Sequence, residues 1–186
     1  MTRSPAKAPP PYDAALLERA ALDYAARYAT TQAKLAAYLR RKIRERGWSD
    51  AGEPGAVVGA LVARFAQHGY VDDHAFAAAR ADSLLRRGYG ARRIGDALRA
   101  AGIGPETAGD LTERIDAGAE AAALLYARRK RIGPFAAALP NPAEKRRWIA
   151  RMARAGHPIE LVLRVLGAEH IDRGAITRDG SEGESE

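Results

Sequence analysis

Three glycines, Gly47, Gly102 and Gly156, stand 55 and 54 residues apart, and each closes the same short pattern. Eight residues before each lies a large apolar side chain, Leu39, Ile94 or Trp148, and four before lies another, Ile43, Leu98 or Met152. A spacing of four puts both on one helix face, and a glycine can take the left-handed turn that ends a helix. Directly after the glycine comes Trp48, Ile103 or His157, then another short apolar segment. A period of this length is a repeat signature, and a unit this small cannot enclose a sufficient core alone, so neighbouring units are expected to support one another. The pattern selects tandem three-helix units over one irregular bundle.

The remaining sequence fills in the unit. Alanine is abundant, β-branched runs are missing, and Gly and Pro fall between periodic segments, all of which favours helix. A first helix is expected from about Asp13 to Tyr28, with Leu17, Ala21, Tyr24 and Tyr28 as its apolar face. Thr31 suits the N-cap of a second, which ends at Gly47. A third buries Val57, Val58, Leu61, Val62 and Phe65, and a fourth starts at Asp73 with Phe76, Ala77, Ala81, Leu84 and Leu85 inward. Ile94 and Leu98 mark a fifth, Ala108, Leu111 and Ile115 a sixth, and Ala121, Leu124 and Leu125 a seventh. An eighth starts near Pro142 and a ninth at Pro158. The expected fold is all-α: three tandem three-helix repeats, about nine helices, in an elongated curved array. The expected divisions are a disordered Pro-rich tail over 1–12, repeats over 13–72, 73–117 and 118–172, and a flexible acidic tail over 173–186.

Charge bears on partners. The last eight residues, DGSEGESE, carry four acids, so the rest of the chain stands at +11 against +7 overall. The middle helix of each unit is the cationic one. Arg40, Arg41 and Arg44 lie in the first unit. Arg92, Arg93 and Arg99 lie in the second, preceded by Arg86 and Arg87. Lys145, Arg146, Arg147 and Arg151 lie in the third. A basic cluster recurring in each unit predicts a positive track for an extended anionic partner, nucleic acid first. Taken singly, each cluster is also what the solvent face of an amphipathic helix looks like.

Signatures of chemistry fail one by one. The chain has no Cys, so disulfides and thiolate ligands are out. GYGARRIGD has neither the full dinucleotide fingerprint nor a preceding strand, and Asp96 and Ala97 stand where a phosphate-binding loop needs Lys and Ser/Thr. His68, His74, His157 and His170 share no metal-ligand spacing and are expected to be surface or turn residues. No serine has a nucleophile context. No cofactor, metal site or catalytic residue is expected. The N-terminal stretch lacks the apolar core of a secretory signal, and no apolar run reaches membrane-spanning length, so a soluble, cytoplasmic protein is expected; it is also expected to be a monomer.

QHGYVDDHAFA, residues 67–77, is the remaining chemical candidate, with Asp72 and Asp73 between two histidines. Its position favours a joint over an active site. Gly69 ends one helix, Asp73 is placed to cap the next, and Tyr70 and Val71 are expected to pack the seam.

The same stretch carries a family resemblance. Gly69 to Ile103 resembles the signature region of the RecX family of bacterial RecA regulators, through Gly69, Tyr70, Asp72, Asp73, Phe76, Ala77, Arg86, Arg87, Gly90, Arg93, Ile94, Leu98, Gly102 and Ile103. A weaker similarity extends over about 14–168. Lys34 stands where members carry the Glu of a capping box. The resemblance implies a non-enzymatic protein that binds along the RecA–DNA filament. Such a protein inhibits recombination, ATP hydrolysis and co-protease activity by RecA and tempers DNA repair and the SOS response. Some members also bind DNA, single- or double-stranded. On this reading the basic residues above contact RecA or DNA, and Gly69, Tyr70, Asp72, Asp73 and Phe76 form a structural joint between repeats. The alternative is a DNA-binding protein acting without RecA, a helix-turn-helix-like regulator or a phosphate-backbone binder. These helices are Arg and Ala with few base-reading side chains, which favours sequence-independent contact.

Overall fold

The computed structural model describes residues 9–167. The expected all-α class holds. Among the described residues the chain forms helices α1 (Ala14–Arg27), α2 (Gln32–Arg46), α3 (Pro54–Gln67), α4 (Asp73–Arg86), α5 (Ala91–Ala100), α6 (Pro105–Gly109), α7 (Thr112–Lys130), α8 (Pro142–Arg154) and α9 (Ile159–Gly167), with one 3-10 turn over Gly133–Phe135. They fall into two compact units. One takes the chain through Arg80 together with Ala97–Leu111, and the other takes Ala81–Asp96 and the chain from Thr112 onward. α4 and α5 therefore each contribute to both.

In the first unit, α1, α2 and α3 close on Leu17, Ala21, Leu35, Leu39, Val58, Leu61, Val62 and Phe65, and Val71 joins them from the loop. The predicted faces point into this core, with Tyr24 and Val57 partly buried against it and Tyr28 turned out at 57% exposed. The second unit is built on α7, α8 and α9, with Ala123, Ala127, Ile132, Met152, Leu161, Val162 and Val165 buried together. Arg114 on α7 donates through Nε and Nη2 to the two carboxylate oxygens of Asp82 on α4, and this bond holds the Asp82 carboxyl below its ordinary value.

Two expectations are corrected. The sixth and seventh helices were expected to part between Ile115 and Ala121, but α7 runs unbroken from Thr112 to Lys130. The edge at 117/118 thus lies inside a helix. Gly118 is no breaker here: a Cβ on it would stand 2.9 Å from Leu85 Cδ1, so the residue marks close helix packing. The 1–12 segment is not loose at its end. Tyr12 is buried. Its amide donates to Gly47 O at 3.0 Å, and its carbonyl accepts from Ser49 N at 2.9 Å. Arg46 clasps this strap through Nε to Pro10 O, with its guanidinium over the Tyr12 ring. The tail expected over 173–186 lies outside the described residues.

The repeat glycines do more than stop helices. Gly102 and Gly156 have φ of +76° and +96°, and the carbonyl just before each is taken by the start of another middle helix. In the first unit, Ala101 O at the end of α5 accepts from the hydroxyl of Thr31, the N-cap of α2, at 2.6 Å. In the second unit, Ala155 O at the end of α8 accepts from the amide of Gly90, which precedes α5, at 3.0 Å. Gly156 O accepts from Arg92 N at 3.2 Å, and Ala153 O accepts from Arg92 Nη2 at 2.9 Å. Helix ends carry unpaired amides at one terminus and unpaired carbonyls at the other, with partial charges of opposite sign. In the second unit, bringing opposite ends together satisfies amides and carbonyls at once, while in the first the donor is the Thr31 hydroxyl. Gly47, at the end of α2, has its carbonyl covered by Tyr12 N instead.

The contact leaves no room for a side chain. A Cβ on Gly156 would sit 2.5 Å from Arg93 N, and one on Gly90 would sit 2.4 Å from Gly156 C, whereas Gly69, with φ +73°, has nothing within 4 Å. Gly156→Ala is expected to cost about 2–5 kcal/mol, combining left-handed strain with a backbone clash, against about 1–2 kcal/mol for strain alone in Gly69→Ala. Urea denaturation of the two variants measures the difference, and equal losses would remove the steric part of the account.

Candidate functional site

The Asp-His cluster resolves into four separate jobs. Asp72 Oδ1 accepts from Ala75 N at 2.8 Å, so Asp72 caps α4. Asp73 was expected in that role, but it is the first helical residue, and its Oδ1 accepts from Gln32 N at 2.9 Å, on the first turn of α2. A carboxylate from α4 thus stands at the positive end of α2, where Lys34 leaves that helix without a capping-box Glu of its own. His68 Nδ1 donates to Arg64 O at 2.7 Å, and His74 Nε2 lies 3.7 Å from Asp110. Among the described residues no three His, Asp or Glu side chains gather as a metal would require.

Two joint residues behave differently from expectation. Tyr70 does not fill a seam: it is 57% exposed, with its ring against those of Phe65 and His68, while Val71 is buried in the first-unit core. Phe76 is half-buried under the Lys34 ammonium, 4.8 Å from the ring centroid. Gly69 is the turn after α3 as expected, accepting its positive φ.

His157 was expected at the surface and is 4% exposed. Its Nε2 donates to Gly88 O at 3.1 Å, and its ring meets Tyr126 edge-on. The signal was available. In the repeat frame His157 takes the place of Trp48 and Ile103, the residue that turns inward after the glycine. His170 lies outside the described residues.

The basic side chains divide into free and engaged sets. Arg40 and Arg44 are exposed on α2, and Lys145, Arg146, Arg147 and Arg151 on α8; none has an ion-pair partner among the described residues. Arg41 is exposed and shares Glu45 with Lys42, at 3.7 Å each. Arg86 and Arg87 close α4, and Arg87 and Arg93 bracket the Tyr89 ring at 5.4 and 4.6 Å from its centroid. Arg129, outside the predicted set, joins this group by donating to Arg87 O at 2.9 Å. Arg92 is partly structural, because its guanidinium holds the end of α8. Arg99 is exposed on the last turn of α5. The recurrence is also looser than expected. In the glycine frame Arg92 and Arg93 coincide with Arg146 and Arg147, but Ala37 and Tyr38 occupy the corresponding places on α2.

Comparison with known proteins completes the description. Residues 72–110, spanning α4 to α6, match the family model for the second three-helix domain of RecX. The chain is 36% identical over 172 residues to the regulatory protein RecX of Myxococcus xanthus (strain DK1622), covering 88% of this chain and 89% of that one. It also superposes on a crystal structure of a regulatory protein RecX with a TM-score of 0.61, at 19% identity, over 82% of this chain and 70% of that one.

The buried His157 gives the second unit a predictable acid sensitivity. Burial pushes its pKa below the ordinary 6.5, opposed in part by the bond to Gly88. A depressed folded value means that the stability is fully present above about pH 6.5 and is lost as pH falls through the folded value. His157→Gln, which keeps a donor but does not titrate, is expected to show less loss of thermal stability between pH 7 and pH 5 than the wild type. Parallel melting curves for both proteins would contradict this assignment.

Proposed function

The chain belongs to the RecX family of regulatory proteins, and from this premise we propose that it binds the RecA–DNA filament and lowers its recombinase, ATPase and co-protease activities. Its role in recombination, DNA repair and the SOS response would then be to restrain RecA by binding, without chemistry of its own. The three-repeat division of the chain is part of the same reading.

The single observation that carries the reading is the exposed arginine set on the middle helices, within a chain of this family. α8 offers exposed Lys145, Arg146, Arg147 and Arg151, none with an ion-pair partner among the described residues, and a cationic surface of this kind suits phosphates or an acidic protein face. Arg and Ala on the exposed faces, with few amide or hydroxyl side chains, favour backbone contact over base reading. Among the described residues no helix is long and apolar enough to cross a membrane, which is consistent with a partner in solution.

The structure changes which residues should be tested. Reversing Arg92 would also break its bond to Ala153 O, so a lost activity would be ambiguous. Arg146→Glu with Arg147→Glu leaves the joint alone. The double variant is expected to weaken inhibition of the single-stranded-DNA-dependent ATPase of RecA by about tenfold or more, since phosphate or acidic contacts are each worth on the order of 1 kcal/mol. Full inhibition by the folded double variant would remove α8 from the contact surface. Failure of the wild-type protein to inhibit would reject the function itself.

A further inference from the structure

An open groove of about 420 Å³ lies along α2 in the first unit, lined by Tyr24, Lys34, Ala37, Tyr38, Arg41 and Arg44. Tyr24 from α1 and Tyr38 from α2 stack with centroids 4.2 Å apart and planes 15° from parallel, forming an aromatic wall. Tyr28, exposed and 5.2 Å from Tyr24 at a tilt, extends the aromatic cluster. The Arg41 guanidinium and the Lys42 ammonium each stand 5.6 Å from the Tyr38 centroid. Among the described residues no acidic side chain lines the groove, and Arg41 alone of its cations has an acidic neighbour, Glu45 at 3.7 Å.

We propose that this groove takes an unpaired nucleotide of a single strand, its base against the Tyr24–Tyr38 wall and flanking phosphates on Lys34, Arg41 and Arg44. The proposal rests on nucleic acid being a partner, and it adds a feature that the arginines alone do not carry. Cations by themselves bind duplex and single strand alike through phosphate charge. An aromatic wall needs a base that is free to leave its stack, so it discriminates between the two. Three features select this ligand. The volume falls in the range of small-ligand sites. Aromatic rings interleaved with cations match a base linked to phosphate, whereas an acidic peptide has no use for the wall. The cations run from Lys34 to Arg44, about 15 Å along the helix at 1.5 Å per residue, which is longer than one phosphate needs and fits a strand better than a free nucleotide.

The test uses the full chain without RecA, with fluorescence anisotropy of labelled strands of equal length: oligothymidylate, the same backbone without bases, and a duplex. The wild type is expected to bind oligothymidylate about tenfold tighter than the abasic strand, from base–aromatic stacking, and more tightly than the duplex. Ala37→Gln fills the groove from an exposed, core-free position, and Tyr38→Leu removes half the wall. With fold confirmed by circular dichroism, each is expected to abolish the preference, and Ala37→Gln to leave abasic binding unchanged. Equal wild-type affinity for the thymidylate and abasic strands overturns the base pocket while leaving the phosphate track standing. Thymidine monophosphate competing as well as the oligonucleotide overturns the strand assignment. An absence of salt-dependent binding to any strand rejects the nucleic-acid reading and this inference with it.

Discussion

The structure depends on one recurring contact, the closure of a helix's carbonyl end on the amide end of another. Short helices have many ends for their length, and each end leaves several backbone groups without partners inside the helix. Burying such groups unpaired would cost on the order of 1–3 kcal/mol each. Here Thr31 donates to Ala101 O in one unit and Gly90 donates to Ala155 O in the other, so the same carbonyl, just before the repeat glycine, is used twice. Helix polarity favours the pairing, since the ends that meet carry opposite partial charge. Glycine is required at 102 and 156 because the chain turns left-handed there, and a Cβ would meet Ala33 Cβ at Gly102 and the Arg93 backbone at Gly156.

This contact governs what the side chains can do. Thr31, Asp73, Arg92 and His157 are engaged at helix ends by hydrogen bonds. The flanks of α2 and α8 remain exposed, and there Arg40, Arg44, Lys145, Arg146, Arg147 and Arg151 meet solvent. Arginine suits this position well, because its long stem can lie on a helix surface while its guanidinium stays hydrated and available. Tyrosine beside those cations adds a second recognition chemistry on α2, where the stacked pair with Tyr24 fixes the ring orientation before any ligand arrives.

Much of this was legible in the sequence, in the parts governed by local physics. Helical periodicity located Leu17, Leu35, Leu39, Phe65, Ile94, Leu98 and Met152, all of which are fully or nearly fully buried. Thr31 was correctly read as an N-cap, since the hydrogen bond to Lys34 N is a matter of three residues. Asp73 was expected to cap α4 and Asp72 to sit in the turn, but Asp72 caps α4 and Asp73 serves the start of α2. A one-residue shift of a helix start reverses which of two adjacent carboxylates faces its own amides. His157 was misread for lack of weight on its place in the repeat, and α7 was divided because a glycine that permits close packing looks like one that ends a helix.

The sequence by itself determined that this chain forms helices, where most of them lie and most of their buried faces, though α7 buries Ala122, Ala123 and Ala127 and exposes Ala121, and it carried the resemblance to the RecX proteins. The helical readings follow from short-range pattern and composition, which act within a few residues, whereas the family tie rests on the resemblance of Gly69 to Ile103 to a signature stretch. Only the tertiary structure decided which helix ends meet, that Arg92 serves a joint while Arg146 and Arg147 stay clear, and that two tyrosines on different helices stack beside three cations. Such pairings join residues tens of positions apart, such as Thr31 with Ala101 and Arg92 with Ala153. No local periodicity encodes them; they are settled by how the packed elements satisfy their last unpaired groups.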